Sequence, residues 1–441
     1  MVVRQLLWVF SGGKRFERLV LLLAFLVTAA ILFVGMPAFQ GYATYRYSLG
    51  FADGYNLIAK NLADGNGYRW RPDMDETMVR EPGYPLLLAA AFKIGGYRIE
   101  AARFLNLLLT VGIAVMLLAL ARKITVDPRI PIIAALLFLL HPGTWIAEAR
   151  GGVEILFIFV GFAFLLTLHR AMEKGGFWRY LLAGLAFGVV VQVRSTPIVF
   201  PVFLLLYFMF TARGARRRLA AAWNVAIVVA GMGLIMAPWV VRNYQLVHEF
   251  VPFATIRGLA AQEGLYICRN VPFGVDDYSV VRQAGRIRGE LARALSLRFE
   301  GAEYLQMFYD AHDEVAFNSI LYETARNEYV RDPGLWMECV GRNLFNFWFL
   351  GKTWRVTTLN MLVQGPALAL VLYGLAIVRR RGELRAMGIL VAYVVSIAIA
   401  HLLVISEARY SIPALAYLSI PGGVAVTTIW DKIRAHLRFG C

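Results

Sequence analysis

The residues able to do chemistry in this chain sit in short polar interruptions of a long apolar sequence. The first interruption, FADGYNLIAKNLADGNGY at 51–68, places Asp53 ahead of a helix-forming run. Its carboxylate has two readings there. It can cap the helix by accepting a backbone N–H, or it can act as a general base that takes the proton of an acceptor hydroxyl. Asp64, followed by Gly-Asn-Gly, reads as a turn residue. Arg80 and Glu81 stand before Pro82. Glu81 is either a solvated loop acid or part of a donor site. Glu148, Glu154, Arg194, Arg242, Glu407 and Arg409 recur at or near one end of the apolar runs. Glu154 falls two residues inside such a run, where an ionisable group is costly unless it faces a cavity. Arg80, Arg242 and Arg409 either anchor to lipid headgroups or bind phosphate oxygens with their planar fork. A lone His141 at a run's end reads as structural.

The elements that position these residues are membrane spans. Of the 441 residues, 59% are hydrophobic and 17% charged, against about 45–50% and 25% in soluble proteins. The excess lies in runs long enough to cross hydrocarbon. Ten spans are expected, at about 19–37, 99–121, 130–146, 152–169, 179–194, 196–211, 221–240, 357–378, 385–405 and 409–429. The first is read as a retained span rather than a cleaved signal peptide.

With the N-terminus in the cytoplasm, the short loops on that side hold 21 Lys and Arg and five acids. The large opposite loop, 241–356, holds 13 basic and 14 acidic residues. The net charge of +16 is therefore the positive-inside signature and calls for no nucleic acid. The expected placement is the inner (cytoplasmic) membrane, with both termini cytoplasmic and the candidate site outside.

The expected fold class is an all-α polytopic membrane protein. An N-terminal transmembrane module, 1–240, carries the first outer loop at 38–98. A helical outer region covers 241–356, and C-terminal spans with a cytoplasmic tail cover 357–441. In the first loop Phe51, Tyr55, Ile58 and Leu62 form one helical stripe. After a hairpin-like stretch, PGYPLLLAAAF starts a helix too short to span, expected to be interfacial or re-entrant. Helical periodicity in 289–349 predicts a small all-helical outer region rather than a sheet. Cys268 and Cys339 both lie in it, where a disulfide is chemically allowed, but two distant cysteines predict little. The sequence holds no phosphate-binding loop, CxxC pair, HExxH, GxSxG or dinucleotide fingerprint.

Several ordered pieces resemble the GT-C glycosyltransferases, in particular the protein O-mannosyltransferases and the aminoarabinose transferases of lipid A. They are DGYNLIAKNLADGNGY, REPGYPLLLA, HPGTWIAEARGGVEILFIF, APWVVRNYQL with FVPFATIRG, TARNEYVRDPGLWMECVGRNLFNFW and SEARYSIPALAYL. The resemblance implies Asp53 as catalytic base, Arg80 and Glu81 at the donor site, and Arg409 near the donor phosphate. Arg242 joins the expected donor-binding set, and Glu148, Glu154 and Glu407 are supporting acids. The pattern departs from many members in lacking a second acid beside the first, since Ala52 and Gly54 flank Asp53.

The expected function is inverting transfer of a sugar from a polyprenyl-phosphate donor to a hydroxyl of a glycan, lipid or protein. No cofactor is required by that scheme, and no metal ligand is assigned. Two alternatives stand beside it. An O-antigen ligase or polymerase would depend on His312 and Arg409 rather than Asp53. A lipid or solute transporter would show repeats or mid-membrane charges.

Overall fold

The computed structural model describes residues 14–35, 38, 53–271, 273, 278–301 and 305–439. Phe51 of the predicted stripe, the residues before Lys14 and Cys441 lie outside the described residues. Each of the ten predicted spans corresponds to an apolar helix or helix pair. They are α1 (Lys14–Ala30, running into a π turn at Ile31–Gly35), α4 (Ile99–Ile124), the pair α5 (Ile130–Leu139) and α6 (Pro142–Ala149), α7 (Glu154–Lys174), α8 (Phe177–Val193), α9 (Phe200–Thr211), α10 (Ala215–Val247), α15 (Trp354–Arg380), α16 (Leu384–Leu403) and α17 (Ser411–Phe439).

Five of these segments are long and apolar enough to cross a membrane alone. The α5–α6 pair makes a sixth if its 51° bend is one broken span. The bend has a local cause. Pro142 cannot extend α5, and the His141 ring restarts the helix by accepting the N–H of Gly143 at 3.1 Å. The protein is a multi-pass, all-α membrane protein.

The bundle packs through small residues and rings. In α8 and α10 the backbones approach so closely that a Cβ on Gly231 would lie 2.7 Å from the Leu181 carbonyl oxygen. Buried Phe164, Phe187, Phe200, Tyr393 and Tyr417 join α7, α8, α9, α16 and α17 in one aromatic layer.

The first outer loop is built as expected, with one change. Helix α2 (Tyr55–Asp64) is followed by a turn, a small hairpin bridged at Arg69 and Glu76, and helix α3 (Gly83–Gly95). α3 buries Tyr84, Leu88 and Phe92 while Leu86 and Ile94 face outward, the one-sided burial of a helix lying on a packed surface. Asp53 is not the cap of α2. That position is Gly54, at φ 74°, and no side chain caps the helix. Only glycine fits, because a Cβ would strike the Trp70 ring and the left-handed backbone would be strained. Asp64 ends α2 in an ion pair with Lys60 at 2.6 Å.

Among the described residues the outer region is helical apart from one two-residue antiparallel strand pair, β1 (Phe299–Glu300) with β2 (Met307–Phe308), which helical periodicity did not predict. Its helices are α11 (Arg257–Asn270), α12 (Tyr278–Ala294), α13 (Ala311–Arg331) and α14 (Pro333–Phe349). Cys268 and Cys339 form a disulfide that ties α11 to α14, with Cα atoms 5.7 Å apart.

A buried carboxylate fastens this region to the first loop. Glu314, in the first turn of α13, accepts from Thr77 Oγ1 at 2.5 Å, Met78 N at 3.0 Å and Thr255 Oγ1 at 2.7 Å. Burial pushes its pKa up, and those three donors partly offset the shift.

Candidate functional site

Asp53 meets Arg409, 356 residues later, at 3.1 Å. Three short segments converge there. The turn ahead of Gly54 presents the Asp53 side chain. The end of the hairpin presents Arg80, whose Nε donates to the Asp53 carbonyl at 2.8 Å and whose Nη2 lies 4.0 Å from the carboxylate. A 3₁₀ turn at Ala408–Tyr410, just before α17, presents Arg409.

Aromatic rings fix the guanidinium planes. Arg80 lies over Tyr55, and Arg194 and Arg409 both lie over Tyr410. Tyr410 is itself stacked on buried His401, with ring centroids 4.2 Å apart. Glu407 holds the other edge of Arg409 at 3.0 Å.

Asp53, Arg80, Glu407, Arg409 and Tyr410 border a cavity of about 160 Å³ roofed by the outer region. Arg80, Arg150, Lys352 and Arg409 supply four basic side chains to its lining; Asp53, Glu263 and Glu407 supply three acids. Desolvation alone would raise the Asp53 pKa. The charges of Arg409, Arg80, Arg194 and Arg150 outweigh it and hold the carboxyl below its usual value. Glu263, on α11, is pushed the other way, up to about 7, because burial outweighs the attraction of Arg288. The two carboxyls therefore titrate apart, and near neutral pH the cavity keeps an excess of positive charge suited to an anion. Tyr55 is no rival base, since burial pushes its phenol up to about 12.

The other predicted residues fall around this cavity or away from it. Glu81 is buried, not solvated, and accepts from Ser195 Oγ at 2.6 Å and Ser195 N at 3.3 Å. It braces the loop against the end of α8 and does not line the cavity. Arg242 also stays outside. It pairs with Glu76 at 2.9 Å, donates to the Thr77 carbonyl at 2.9 Å and stacks over Trp239, so it holds the hairpin rather than an incoming phosphate. Glu148 is fully buried and accepts from Thr110 Oγ1. Glu154 sits 3.9 Å from Arg194, behind the Tyr410 layer. His312 is exposed in the first turn of α13. Among the described residues no group of three or more His, Cys, Asp or Glu converges as a metal site.

Sequence reasoning missed Glu263, Arg150 and Lys352. Arg150 follows the acid picked out at 148, so the signal lay in the same short piece. Glu263 stands among small and apolar residues of α11. Nothing local marks it, because its place at the cavity depends on how the outer region folds back over the first loop.

Residues 79–241 match the family model described as dolichyl-phosphate-mannose-protein mannosyltransferase. A search of the curated proteins found no match. Among solved structures, the oligosaccharyltransferase of Archaeoglobus fulgidus superposes in its apo form with a TM-score of 0.58 at 15% identity, covering 97% of this chain and 52% of that one. The same enzyme tethered to an acceptor peptide gives 0.56 at 15% identity, covering 97% and 51%. The chain thus spans about half the length of that enzyme. ArnT from Cupriavidus metallidurans bound to undecaprenyl phosphate gives 0.42 at 16% identity, covering 92% and 77%. The chain is similar to the GT-C glycosyltransferases, in the family pattern of residues 79–241 and in a fold that extends over nearly its whole length.

Proposed function

We propose that the protein transfers a sugar from a polyprenyl-phosphate donor to a hydroxyl acceptor, with inversion, in the cavity under its outer region. Similarity to the GT-C enzymes supports transfer of lipid-linked sugars in general. The observation that carries the finer reading is the meeting of one ionised carboxylate, Asp53, with Arg409 and Arg80 in a cavity of net positive charge.

The chemistry follows from those partners. With no donor present, Asp53 is a weak base, because the guanidinium groups stabilise its anion. A donor phosphate is a competing anion for the same forks. As it takes Arg409 and Arg80, the carboxylate loses their stabilisation and its basicity rises toward that of an ordinary aspartate. Asp53 then accepts the acceptor's proton as the hydroxyl oxygen bonds to the anomeric carbon. The bond from that carbon to the phosphate oxygen breaks with its electron pair on the phosphate, where the arginines stabilise the growing charge. Donor binding and base activation are one event in this scheme. The charge asymmetry of the loops supports an extracytoplasmic position for the cavity.

Purified protein given a radiolabelled sugar on a polyprenyl phosphodiester should release polyprenyl phosphate and form a product of opposite anomeric configuration. Intact donor after prolonged incubation, across a panel of sugars and acceptors, would leave transport as the better reading.

Arg409→Gln should weaken donor binding roughly tenfold to a hundredfold, the worth of a lost charge-assisted hydrogen bond pair. Arg242→Gln should leave donor affinity within about twofold while lowering thermal stability, since its fork is already spent on Glu76 and Thr77. Equal losses of affinity in both variants would dissolve the distinction between them.

The donor phosphodiester keeps one charge across neutral pH, so a pH dependence of its binding reports on the protein. Protonated Glu263 leaves the cavity more positive. Donor affinity should therefore fall as pH rises through about 7, and Glu263→Gln should flatten that slope at the tighter, low-pH limit. Binding that tightens with pH in the unsubstituted protein would contradict the assignment.

A further inference from the structure

A second cavity, of about 320 Å³, lies at the end of the bundle opposite Asp53. Helix α16 measures the separation. Its His401 stacks on Tyr410 beside the candidate site, whereas Arg385, sixteen residues earlier and about 24 Å away along the helix, lines the second cavity.

The cavity is a wedge between two helix pairs. α4 packs with α7, and α9 packs with α16. The pairs are pinned together where Phe164 of α7 meets Phe200 of α9 and Tyr393 of α16, with ring centroids 5.4 and 5.8 Å from Phe164. Beyond that layer they diverge. Between Tyr393 and Arg385 the wedge runs about 12 Å. Its walls are mostly apolar, among them Leu120 of α4, Leu165 and Met172 of α7 and Leu390 of α16. Such walls give water few partners and offer a hydrocarbon chain dispersion contacts along their length.

The mouth is polar and its charges are unequal. Glu173 is already paired with Lys123 at 2.9 Å, and the His169 ring lies 3.2 Å from it. Arg385 is exposed, and among the described residues its guanidinium contacts the Thr211 carbonyl at 3.5 Å. The Tyr207 hydroxyl sits beside it, bonded to the Arg385 carbonyl at 3.1 Å. An apolar slot with a guanidinium fork at its mouth matches an acyl chain joined to a phosphodiester.

The geometry points to a binding site for an anionic glycerophospholipid of the host bilayer, one acyl chain in the wedge and its phosphate on Arg385. By the charge asymmetry of the loops, this is the inner leaflet, where such lipids meet basic loops. The site is separate from the sugar-transfer cavity and does not depend on that assignment. Its effect is to fill the gap between two helix pairs joined at the Phe164 aromatic layer, and so to set their spacing.

The test is native mass spectrometry of the full chain in a neutral detergent, titrated with phosphatidylglycerol, phosphatidylcholine of the same acyl chains, and polyprenyl phosphate. The protein should retain one phosphatidylglycerol about tenfold more tightly than phosphatidylcholine, the scale expected from one ionic hydrogen-bonding pair. Arg385→Ala, a change at an exposed position, should bring the two affinities together. Leu390→Trp, which fills the wedge, should abolish tight retention of either phospholipid. Undiminished preference in Arg385→Ala, equal binding of the two phospholipids by the unsubstituted protein, or tighter Arg385-dependent binding of polyprenyl phosphate would each overturn the proposal.

Discussion

The constraint on which the site depends is electrostatic. Asp53 and Arg409 are brought within 3.1 Å from opposite ends of the chain, under a roof that removes much of the surrounding water. A carboxylate there would be costly without partners, and so would the arginines. Each is tolerable because the others are present, so the first loop, the α6–α7 turn that carries Arg150, and the start of α17 must dock together for any of them to be stable. The partners that stabilise the cluster are also the groups a phosphate would take. Folding of the site and binding at the site thus draw on the same charges.

The rest of the molecule holds that cluster in register. Trp70 against Gly54 sets the turn that aims Asp53. Arg242, paired with Glu76 and stacked on Trp239, fixes the hairpin whose far end carries Arg80. Glu314 fastens the same hairpin to α13 through Thr77 and Met78, which brings the outer region down as a roof. The disulfide between Cys268 and Cys339 keeps α11, and with it Glu263, from swinging away from α14. Three arginines looked equivalent as phosphate ligands in the sequence. Two of them stand at the cavity and the third holds up its wall.

What could be read in advance follows from which interactions are local. Spans are local: hydrophobic length and flanking charge specify them, and the ten expected segments appear as apolar helices or a helix pair, five of them long enough to cross a membrane alone. The first loop was legible for the same reason, because turn residues at 64–67 and the stripe on α2 announce themselves within a few positions. The partners of each charge were not legible. Nothing near Glu81 points to Ser195, and nothing near Glu148 points to Thr110, since those bonds exist only once helices distant in sequence pack together. The two-residue strand pair escaped because such a pair has no period to detect. Glu263 escaped because its neighbours describe an ordinary buried helix face, and its chemical setting is made by residues far from it in sequence.

The central claim is that Asp53 takes the acceptor's proton while the arginines hold the phosphate, and Asp53→Asn separates those roles in one protein. The measurement is single-turnover transfer from the polyprenyl-phosphate sugar together with the affinity for that donor. Loss of the base should slow transfer at least about a hundredfold. Donor binding should hold or tighten, because Arg409 and Arg80 no longer have a carboxylate to satisfy. A folded Asp53→Asn protein with near-normal transfer would contradict the account, as would one whose donor affinity collapses along with its rate.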